Sequence, residues 1–345
     1  MSSESPKKNP TLHDVAKAAG VSKMTVSRVL RGTGRISEPT SKKVEAAVAQ
    51  LGYRPNPMVQ TLMAGVRKKR VENNANIAWV QNYKPEEPLP DSLKELEVGG
   101  QERAKELGYG MTRLNIDSDD AKPEAVTRNL RARGVRGAII CPMRDTNRPL
   151  VFPWEHFAIA TIGRSLRRPA IHYTMSHHYH IMQKVLDEVT TRGYSRIGLL
   201  IGSPEWETRA DYATTMVFQH HCSQMGLDPC VAYQTCGNWE AQDYCAWYQS
   251  FQPDAIIGDY GHRYHTLIEA GLPMSQIGYA TLSWKAKDPQ CAGVKQPFAG
   301  LGASAVDLVV AQIHRNERGI PISPKAILME GEWVEGSSLP AAATH

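Results

Sequence analysis

The apolar residues of the first fifty positions recur with the period of an α-helix. In a first segment they lie on one helical face, spaced i, i+3, i+4 and i+7, at Leu12, Val15, Ala16 and Ala19. Thr11 is predicted to cap this helix, with Asp14 in the position of a capping box. Gly20 ends the pattern, and Ser22 is the next candidate cap. A second stripe follows at Val26, Val29 and Leu30, so the pattern predicts two short helices joined as a helix-turn-helix.

A third helix is predicted beyond this pair. Ser37 is its candidate cap, Pro39 suits its first turn, and Gly52 ends it. Its apolar face consists of Val44, Ala47, Val48 and Leu51. The N-terminal segment is therefore predicted to be an all-α headpiece.

The second helix has a polar face that suits nucleic acid, made of Lys23, Met24, Thr25, Ser27, Arg28 and Arg31. Recognition helices read base edges mainly with their N-terminal residues, so Lys23 and its neighbours would enter a groove first, and Arg28 would follow one turn later. Arginine suits bidentate contact with guanine, and a methionine or a threonine methyl can lie against the methyl of thymine. The same pattern is also compatible with an αα-hairpin whose basic face is simply solvated.

The segment from Asn56 to Ala64 predicts a further short helix, with Asn56 as cap and Pro57 at the first helical position. A helix of about eight residues is too short to be stable alone in water. We therefore expect it to fold only against a partner, as a DNA-dependent hinge would. A polar linker follows at residues 67–74.

From residue 77 onward, short apolar runs alternate with helical patterns. The predicted strands are 77–80, 111–116, 135–141, 158–162, 197–201, 255–257 and 277–281. The predicted helices are about 91–108, 122–133, 177–192, 208–226, 263–270 and 299–317. Short strands with helical connections form parallel, doubly wound sheets, which bind ligands at the carboxyl ends of their strands.

Composition and charge narrow the class of protein. The length of 345 residues suggests two or three domains, with 41% hydrophobic and 22% charged residues as in ordinary globular proteins. Residues 1–72 hold 14 Lys and Arg against 5 Asp and Glu, a net charge of +9, and the rest holds 26 against 30, a net of −4. A small basic end on an acidic body is typical of a polyanion-binding module joined to another domain. A membrane-surface patch or a solvated tail would also be basic, so charge alone does not distinguish these from a nucleic-acid-binding module.

The sequence also indicates where in the cell the protein is expected. No apolar run approaches the roughly 18 residues of a membrane span, and the first ten residues lack the apolar stretch of a secretory signal. We therefore expect a cytoplasmic, nucleoid-associated protein with no membrane partner. The six cysteines include no Cys-x-x-Cys pair and are expected to be free thiols.

Read together, the headpiece residues resemble those of a known family. The pattern Thr11-Leu12-x-Asp14-Val15-Ala16-x-x-Ala19-Gly20-Val21-Ser22-x-x-Thr25-Val26-Ser27-Arg28-Val29-Leu30, with Leu51-Gly52-Tyr53-x-Pro55-Asn56 after it, resembles the LacI/GalR (lactose-repressor) family of bacterial transcription regulators. The resemblance implies a homodimer that places its second helices in the major groove of a near-palindromic, double-stranded DNA operator. It also implies that Leu62 wedges into the central minor-groove step. The predicted DNA contacts are Thr11, Leu12, Ser22, Lys23, Met24, Thr25, Ser27, Arg28, Arg31, Asn56 and Leu62.

Weaker markers of the same family recur in the body. Arg192-Gly193-Tyr194-Ser195-Arg196-Ile197-Gly198 resembles a family strand entry, and Val294-x-Gln296-Pro297 resembles the crossing back into the first lobe. The resemblance implies a periplasmic-binding-protein-like domain of two lobes linked by three crossovers. We therefore predict a disordered tail at 1–10, a headpiece at 11–55, a hinge helix and linker at 56–72, and an effector-binding and dimerisation domain at 73–340. Lobe one is predicted at about 73–168 and 295–324, and lobe two at about 169–294 and 325–340.

The body departs from the family where the ligand is expected. Family members carry carboxylates at three strand ends, and the corresponding stretches here, 171–178, 258–260 and 278–280, keep only Asp259. Because such carboxylates bind sugar hydroxyls, their loss argues against a plain hexose and leaves a small, carbohydrate-related effector as the expectation. The candidate effector contacts are Tyr83, His172, Arg209, Asp259 and Trp284. Arg209 fits the family's effector-contacting arginine, and it can equally be a surface arginine of a helix.

No metal, cofactor or catalytic site is predicted. His177 and His180 can share a helix face, but two ligands do not make a zinc site. The sequence has no phosphate-binding glycine loop or nucleophile elbow. The predicted function is a sequence-specific DNA-binding transcriptional regulator, a repressor whose operator affinity a small molecule modulates. The alternatives from other classes are a stand-alone small-molecule receptor of the periplasmic-binding-protein type and an enzyme built on the same lobes.

Overall fold

The computed structural model describes residues 12–30, 36–51, 53, 75–83, 88–116, 123–144, 150–202, 208, 210 and 212–342. The chain divides into two compact units between Glu72 and Asn73. The predicted tail, the predicted hinge helix and its linker lie outside the described residues, as do five of the predicted site residues, Thr11, Arg31, Asn56, Leu62 and Arg209.

Three helices build the N-terminal unit, namely α1 (Leu12–Ala19), α2 (Lys23–Leu30) and α3 (Glu38–Leu51). The turn between α1 and α2 contains Gly20 at φ 65°, a left-handed conformation that glycine adopts without strain. Ser22 Oγ accepts a hydrogen bond from the Thr25 N–H at 3.1 Å and so caps α2. The side chains buried between the helices are Val15, Ala16, Val26, Val44 and Ala47. The predicted helix-turn-helix and its third helix are confirmed.

The second unit is an α/β structure. Its strands are β1 (Asn76–Gln81), β2 (Gly110–Asn115), β3 (Val135–Ile140), β4 (Ala158–Ile162), β5 (His172–Ser176), β6 (Ile197–Ile201), β7 (Tyr233–Thr235), β8 (Ala255–Gly258), β9 (Gly278–Thr281), β10 (Ala292–Lys295), β11 (Ala326–Met329) and β12 (Glu332–Val334). Its helices are α4 (Asp91–Glu106), α5 (Pro123–Ala132), α6 (His178–Thr191), α7 (Ala213–Met225), α8 (Pro229–Ala232), α9 (Ala241–Phe251), α10 (His262–Glu269) and α11 (Phe298–Arg315).

The strands form two six-stranded sheets, which define two lobes. The first has the order β11-β5-β4-β3-β1-β2 with every pair parallel. The second has the order β12-β10-β9-β8-β6-β7, parallel except for the β10–β12 pair. In each sheet the strand order reverses direction near its first strand, which is the switch point at which doubly wound sheets bind ligands. The predicted parallel, doubly wound α/β architecture is confirmed.

The lobe boundaries differ from the predicted ones. β5 pairs with β4 through Thr161 and Tyr173, and with β11 through Tyr173 and Ala326, so both strands belong to the first sheet. The chain therefore first crosses after Ser176 rather than near residue 168. It returns between β10 and α11, close to the predicted residue 295, and crosses last between β11 and β12 rather than near residue 324.

The predicted helix at 208–226 also changes. Its regular part is α7, which begins at Ala213, because Tyr212 has a φ of 59° and a right-handed helix cannot continue through a left-handed residue. The apolar periodicity did not register this interruption, since periodicity depends on side chains and not on backbone conformation.

Lobe one is held by a close approach of α4 and α11. A Cβ atom added at Gly302 would overlap the Leu96 carbonyl, and one added at Gly99 would overlap the backbone of Ala299. α11 also lies against β3, β4 and β5, and Thr174 Oγ1 on β5 donates a hydrogen bond to the Leu301 carbonyl at 3.1 Å. This packing places the N-terminal ends of both helices beside the carboxyl edge of the first sheet.

Candidate DNA-binding face and ligand cleft

The exposed face of α2 is polar and basic. Lys23 and Arg28 are exposed, and Met24 exposes 63% of its surface. Ser22 is also exposed, but its hydroxyl is occupied by the cap and by a 2.9 Å hydrogen bond with Thr25 Oγ1. The structure therefore gathers Ser22, Lys23, Met24 and Arg28 on one surface, with Thr25 and Ser27 half-buried at its edge.

Leu12 does not belong to this surface. It is half-buried and packs against the headpiece core beside the buried Val15 and Val26. The side chain of Leu12 thus helps to stabilise the helix pair, and its contact with DNA, implied by the resemblance, stays a prediction.

The two lobes enclose a cleft of about 190 Å³ at the carboxyl edges of both sheets. Its described lining residues are Tyr83, Pro90, Ser92, Leu93, Leu96, Pro142, Ile162, Gly163, Arg164, Ser165, Met175, Ser176, His178, Ala210, Tyr260, Ser283, Gln296, Phe298 and Leu301. Most of them lie at the carboxyl ends of strands or in the turns that follow, because the strand-to-helix turns of parallel sheets lie at that edge. Tyr83, which follows β1, is the only predicted effector residue among the described lining residues.

Several polar groups of the cleft were not predicted as ligand contacts, and three of them have distinctive chemistry. They are Arg164 after β4, His178 at the start of α6 and Ser283 after β9. Ser283 is 1% exposed, and its hydroxyl has no hydrogen-bond partner among the described residues. Burial, with the neighbouring His177, lowers the pKa of His178 to about 4, so this imidazole is neutral at pH 7. The sequence signal for Arg164 and Ser283 was their position after the apolar strands at 158–162 and 277–281, whereas His178 follows a strand without an apolar run.

Asp259 is engaged inside lobe two and is absent from the described lining. Its Oδ1 accepts hydrogen bonds from Arg263 Nε and the Tyr260 N–H, both at 3.0 Å. Its Oδ2 accepts from the Gly202 N–H at 2.7 Å and from Arg263 Nη2 at 3.2 Å. Because four donors already occupy this carboxylate, it ties β6, β8 and α10 together.

His172 and Trp284 also lie away from the described cleft wall. His172 is the first residue of β5, at the amino end of that strand, and its Nδ1 accepts a hydrogen bond from the Lys325 N–H at 2.8 Å. The predicted turn at 171–178 is thus mostly strand, which moves His172 to the opposite edge of the sheet. Trp284 follows Ser283, and its backbone N–H donates a hydrogen bond to the Val294 carbonyl at 2.8 Å.

The floor of the cleft lies on the lobe crossings. Ser176 Oγ, before the first crossing, donates a 2.8 Å hydrogen bond to Gln296 Oε1 in the second. Gln296 Nε2 donates to the Leu282 carbonyl at 3.0 Å. The His177 N–H donates to the Met329 carbonyl, before the third crossing, at 2.8 Å. A ligand that contacts Ser176 and Gln296 therefore contacts the segments about which the lobes would move.

One histidine cluster lies outside the cleft. His177 and His180 stack with ring centroids 3.8 Å apart, and Glu330 lies 2.8 Å from His180 Nδ1. The structure thus adds a carboxylate to the two histidines weighed in the sequence, and the three potential ligand atoms lie within 4.8 Å of one another. His177 Nδ1 already accepts the His180 N–H at 3.4 Å as a helix cap, so one of its two ring nitrogens has a structural role.

The headpiece and the cleft together define a class of protein. A helix-turn-helix unit with a basic exposed face, followed by a two-lobed, ligand-sized cleft domain, is the architecture of a DNA-binding transcriptional regulator with an effector domain. No described helix is long and apolar enough to cross a membrane.

Comparisons with known proteins agree with this class. Residues 11–56 match the family described as bacterial regulatory proteins, lacI family. The chain is 26% identical over 347 residues to the HTH-type transcriptional regulator KdgR of Bacillus subtilis, covering 95% of this chain and 97% of that protein. It is 28% identical to the regulator PtxS of Pseudomonas plecoglossicida over 61% of this chain and 58% of that protein.

The solved structures agree in fold. The lac repressor dimer bound to operator and the anti-inducer ONPF superposes with a TM-score of 0.56 at 22% identity, covering 97% of this chain and all of that chain. Residues 11–56 therefore carry the helix-turn-helix domain of the lacI family, and over its length the chain is similar to DNA-binding transcriptional regulators with a small-molecule effector domain.

Proposed function

We propose that this regulator is a cytoplasmic, nucleoid-associated repressor that binds a near-palindromic operator as a homodimer. In this proposal residues 11–55 are the DNA-binding headpiece, 56–72 the hinge helix and linker, and the unit from 73 onward the effector-binding and dimerisation domain. The minor-groove role of Leu62, implied by the family resemblance, belongs to the same proposal.

The exposed surface of α2 is the observation that carries the DNA-reading part. Lys23 and Arg28 provide hydrogen-bond donors that suit guanine O6 and N7, and Met24 offers an apolar side chain that suits a thymine methyl. The buried stripe around Val26 fixes the opposite face of the helix in the headpiece core, so this surface is presented outward as a rigid unit.

The hydrogen bonds at the crossings support the regulatory part. A ligand that bridges both lobes and contacts Ser176 or Gln296 would favour one lobe arrangement over another, because its free energy of binding differs between them. Such coupling between sites is typically about 1–3 kcal/mol. We propose that this difference changes operator affinity.

The test starts by selecting operators from random duplex DNA with the full-length protein. Two variants are then compared on the selected operator and on random DNA. Arg28→Ala removes a donor of the α2 face, and Lys42→Ala removes an equal charge from α3, where Lys42 pairs with Glu38 at 2.9 Å. Arg28→Ala should cost about 1–3 kcal/mol on the operator and much less on random DNA. Lys42→Ala should weaken both only slightly.

The outcomes separate the parts of the proposal. Inverted half-sites in the selected DNA, with two chains bound per site, support the palindromic dimer, and a single half-site per chain contradicts it. An equal loss for Arg28→Ala on both DNAs would make this residue a phosphate contact. Failure to enrich any sequence would favour a stand-alone ligand receptor.

A further inference from the structure

We propose that a divalent transition-metal ion, zinc first among them, binds at His177, His180 and Glu330 and holds two of the crossings between the lobes together. This cluster lies outside the ligand cleft, at the start of α6. The regulatory part of the inference rests on the function proposed above, because it makes the ion a second effector of operator binding.

The three side chains come from two distant parts of the chain. His177 is the N-cap residue of α6 and His180 lies in the first turn, so the two share one face of the helix. Glu330 follows β11, 150 positions after His180, and its Oε1 lies 2.8 Å from His180 Nδ1. The two imidazole rings are parallel, with centroids 3.8 Å apart. The tertiary structure thus adds to the histidine pair the third ligand that the local sequence lacks.

The distances suit a single ion. The three potential ligand atoms lie within 4.8 Å of one another. Atoms that bind one zinc ion tetrahedrally at 2.0–2.1 Å are about 3.3 Å apart. Small rotations of the side chains, which tilt the two rings out of their parallel stack, therefore bring all three atoms to one point.

The donor atoms select the kind of ion. Imidazole nitrogens favour zinc, copper, nickel and iron, whereas magnesium and calcium prefer ligands that are all oxygen. Two histidines and one glutamate form a common zinc ligand set, which leaves a fourth position open to water. Structural zinc sites instead close the coordination with four protein ligands. A three-ligand site at the surface therefore suits an ion that binds and leaves reversibly.

The ligands are accessible and free to make these rotations. The side chains of His180 and Glu330 are 48% and 56% exposed, and His177 is half-buried. The hydrogen bond from the His180 N–H to His177 Nδ1 is long, at 3.4 Å, and the bond between His180 and Glu330 is open to solvent. Because exposed or long hydrogen bonds contribute little net stability, metal–ligand bonds replace both at low cost.

The backbone beneath the cluster is already held in place. The His177 N–H donates a hydrogen bond to the Met329 carbonyl at 2.8 Å. Lys184 Nζ, one turn beyond His180, donates to the Gly331 carbonyl at 2.7 Å. These bonds lie on both sides of Glu330 and hold its backbone against the start of α6. Metal binding therefore orders only side chains, which lowers its entropic cost.

The position of the cluster connects it to the movement of the lobes. His177 belongs to the first crossing, between β5 and α6, and Glu330 to the third, between β11 and β12. An ion bound to both joins these segments where they leave lobe one. Ser176 and His178, on either side of His177, line the ligand cleft. The ion therefore favours the lobe arrangement in which the two segments are close, and so shifts the equilibrium as a cleft ligand would.

The first experiment titrates Zn²⁺ into the full-length protein, freed of metal by a chelator, in a calorimeter. His180→Ala and Glu330→Gln should each lower the affinity for Zn²⁺ by at least about 10- to 100-fold, since loss of even an outer partner of a bound metal costs that much. Thermal melting of each variant verifies folding.

Three matched variants serve as controls for this titration. His220→Ala removes an exposed histidine of α7, and Glu332→Gln removes an exposed carboxylate two positions after Glu330. Cys230→Ser removes an exposed thiol, which is the other kind of ligand that zinc prefers. None of these residues belongs to the cluster, so all three variants should bind Zn²⁺ like the parent.

The second experiment measures operator affinity with and without Zn²⁺. We expect a change of about fivefold or more, the lower end of typical coupling between two sites. The change should be absent in His180→Ala and in Glu330→Gln. An equal concentration of Mg²⁺ should not reproduce it, which separates metal binding at the cluster from general screening of the DNA.

The outcomes separate this proposal from the repressor function. No binding of Zn²⁺, or equal binding by the parent, His180→Ala and Glu330→Gln, would overturn the metal site. Binding of Zn²⁺ that leaves operator affinity unchanged would overturn its regulatory role. In each of these cases selection of an operator still supports the repressor, whereas failure to select any operator contradicts the repressor and leaves the titration of Zn²⁺ as an independent measurement of the site.

Discussion

Ser176 Oγ lies 2.8 Å from Gln296 Oε1, and this hydrogen bond joins the first two crossings between the lobes. Both residues are buried, and both line the ligand cleft. The candidate ligand cleft and the first two crossings between the lobes therefore share these two residues.

Removal of this hydrogen bond should lower stability and ligand response together. Ser176→Ala leaves Gln296 Oε1 buried without this donor, so the free energy of unfolding should fall by about 1–3 kcal/mol. Gln296→Leu should cost at least as much, and the double variant less than the sum, since both single changes break the same bond. Urea denaturation of the three variants measures these free energies of unfolding. Thr190→Ala, which removes a 2.8 Å bond to the Leu186 carbonyl within α6, is the control and should not change the ligand response.

Asp259 should prove to be a structural residue. Asp259→Asn leaves the buried Arg263 guanidinium without its counter-charge, and breaking a buried pair costs about 3–5 kcal/mol. The double variant Asp259→Asn/Arg263→Met removes the stranded charge and should recover part of that loss in chemical denaturation. A parent-like stability of Asp259→Asn, combined with weak ligand binding, would instead return Asp259 to the ligand site.

Stability should decrease in mild acid, and His178 should contribute. Burial, with the neighbouring His177, lowers the pKa of His178 from 6.5 to about 4. Between these values the unfolded chain binds the proton and the folded chain does not, so the free energy of unfolding falls as pH drops from 6.5 to 4. The His178 contribution is at most about 3 kcal/mol.

Denaturation at several pH values checks this contribution. His178→Gln should show a shallower decrease than the parent, and it should not be flat, because burial also lowers the pKa of His172, His221 and His262. The exposed His220 on α7 supplies the control, and a His220→Gln curve as shallow as that of His178→Gln would contradict the assignment.

The α4–α11 contact should be intolerant of a single methyl group. Gly302→Ala would place a Cβ against the Leu96 carbonyl, which is backbone and cannot move alone, so a loss of about 1–3 kcal/mol or more is expected. Gly300→Ala on the same helix crowds the end of the flexible Met329 side chain, makes an ordinary contact with Pro297 and gains helix propensity. Thermal melting should therefore separate the two variants, and equal melting temperatures would contradict the packing described.

The helices of the headpiece were predictable because the residues that specify them lie close together in the sequence. The stripe of Val15, Ala16 and Val26, the left-handed Gly20 and the Ser22 cap all act within one or two helical turns, so their spacing specifies the helices before any distant contact forms. The apolar strands β1, β3, β4, β6 and β8 were predictable for a similar reason, since strands buried on both faces are continuous apolar runs.

The strands that the sequence did not predict, and the composition of the cleft, depended on distant neighbours. β5 contains His172, Tyr173 and Thr174 and has no apolar run, and it is a strand because β4 and β11 pair with both of its edges. The missed β7, β10, β11 and β12 have only three or four residues each, and α8 has four, too few for a period to be read. The sequence analysis also missed α9, which has eleven residues. The buried face of this helix consists of aromatic side chains, Tyr244, Trp247 and Phe251.

Sequence alone therefore determined the class of the domains and the face of α2 that meets solvent, because helical and strand periods encode burial directly. Only the tertiary structure decided which polar residues share the cleft. Arg164 and Ser283 are separated by more than a hundred positions in the chain, and they meet at one cleft because parallel strands from two sheets present their carboxyl ends to the same space. In the same tertiary structure, Asp259 forms an ion pair with Arg263, and His172 lies at the opposite edge of its sheet.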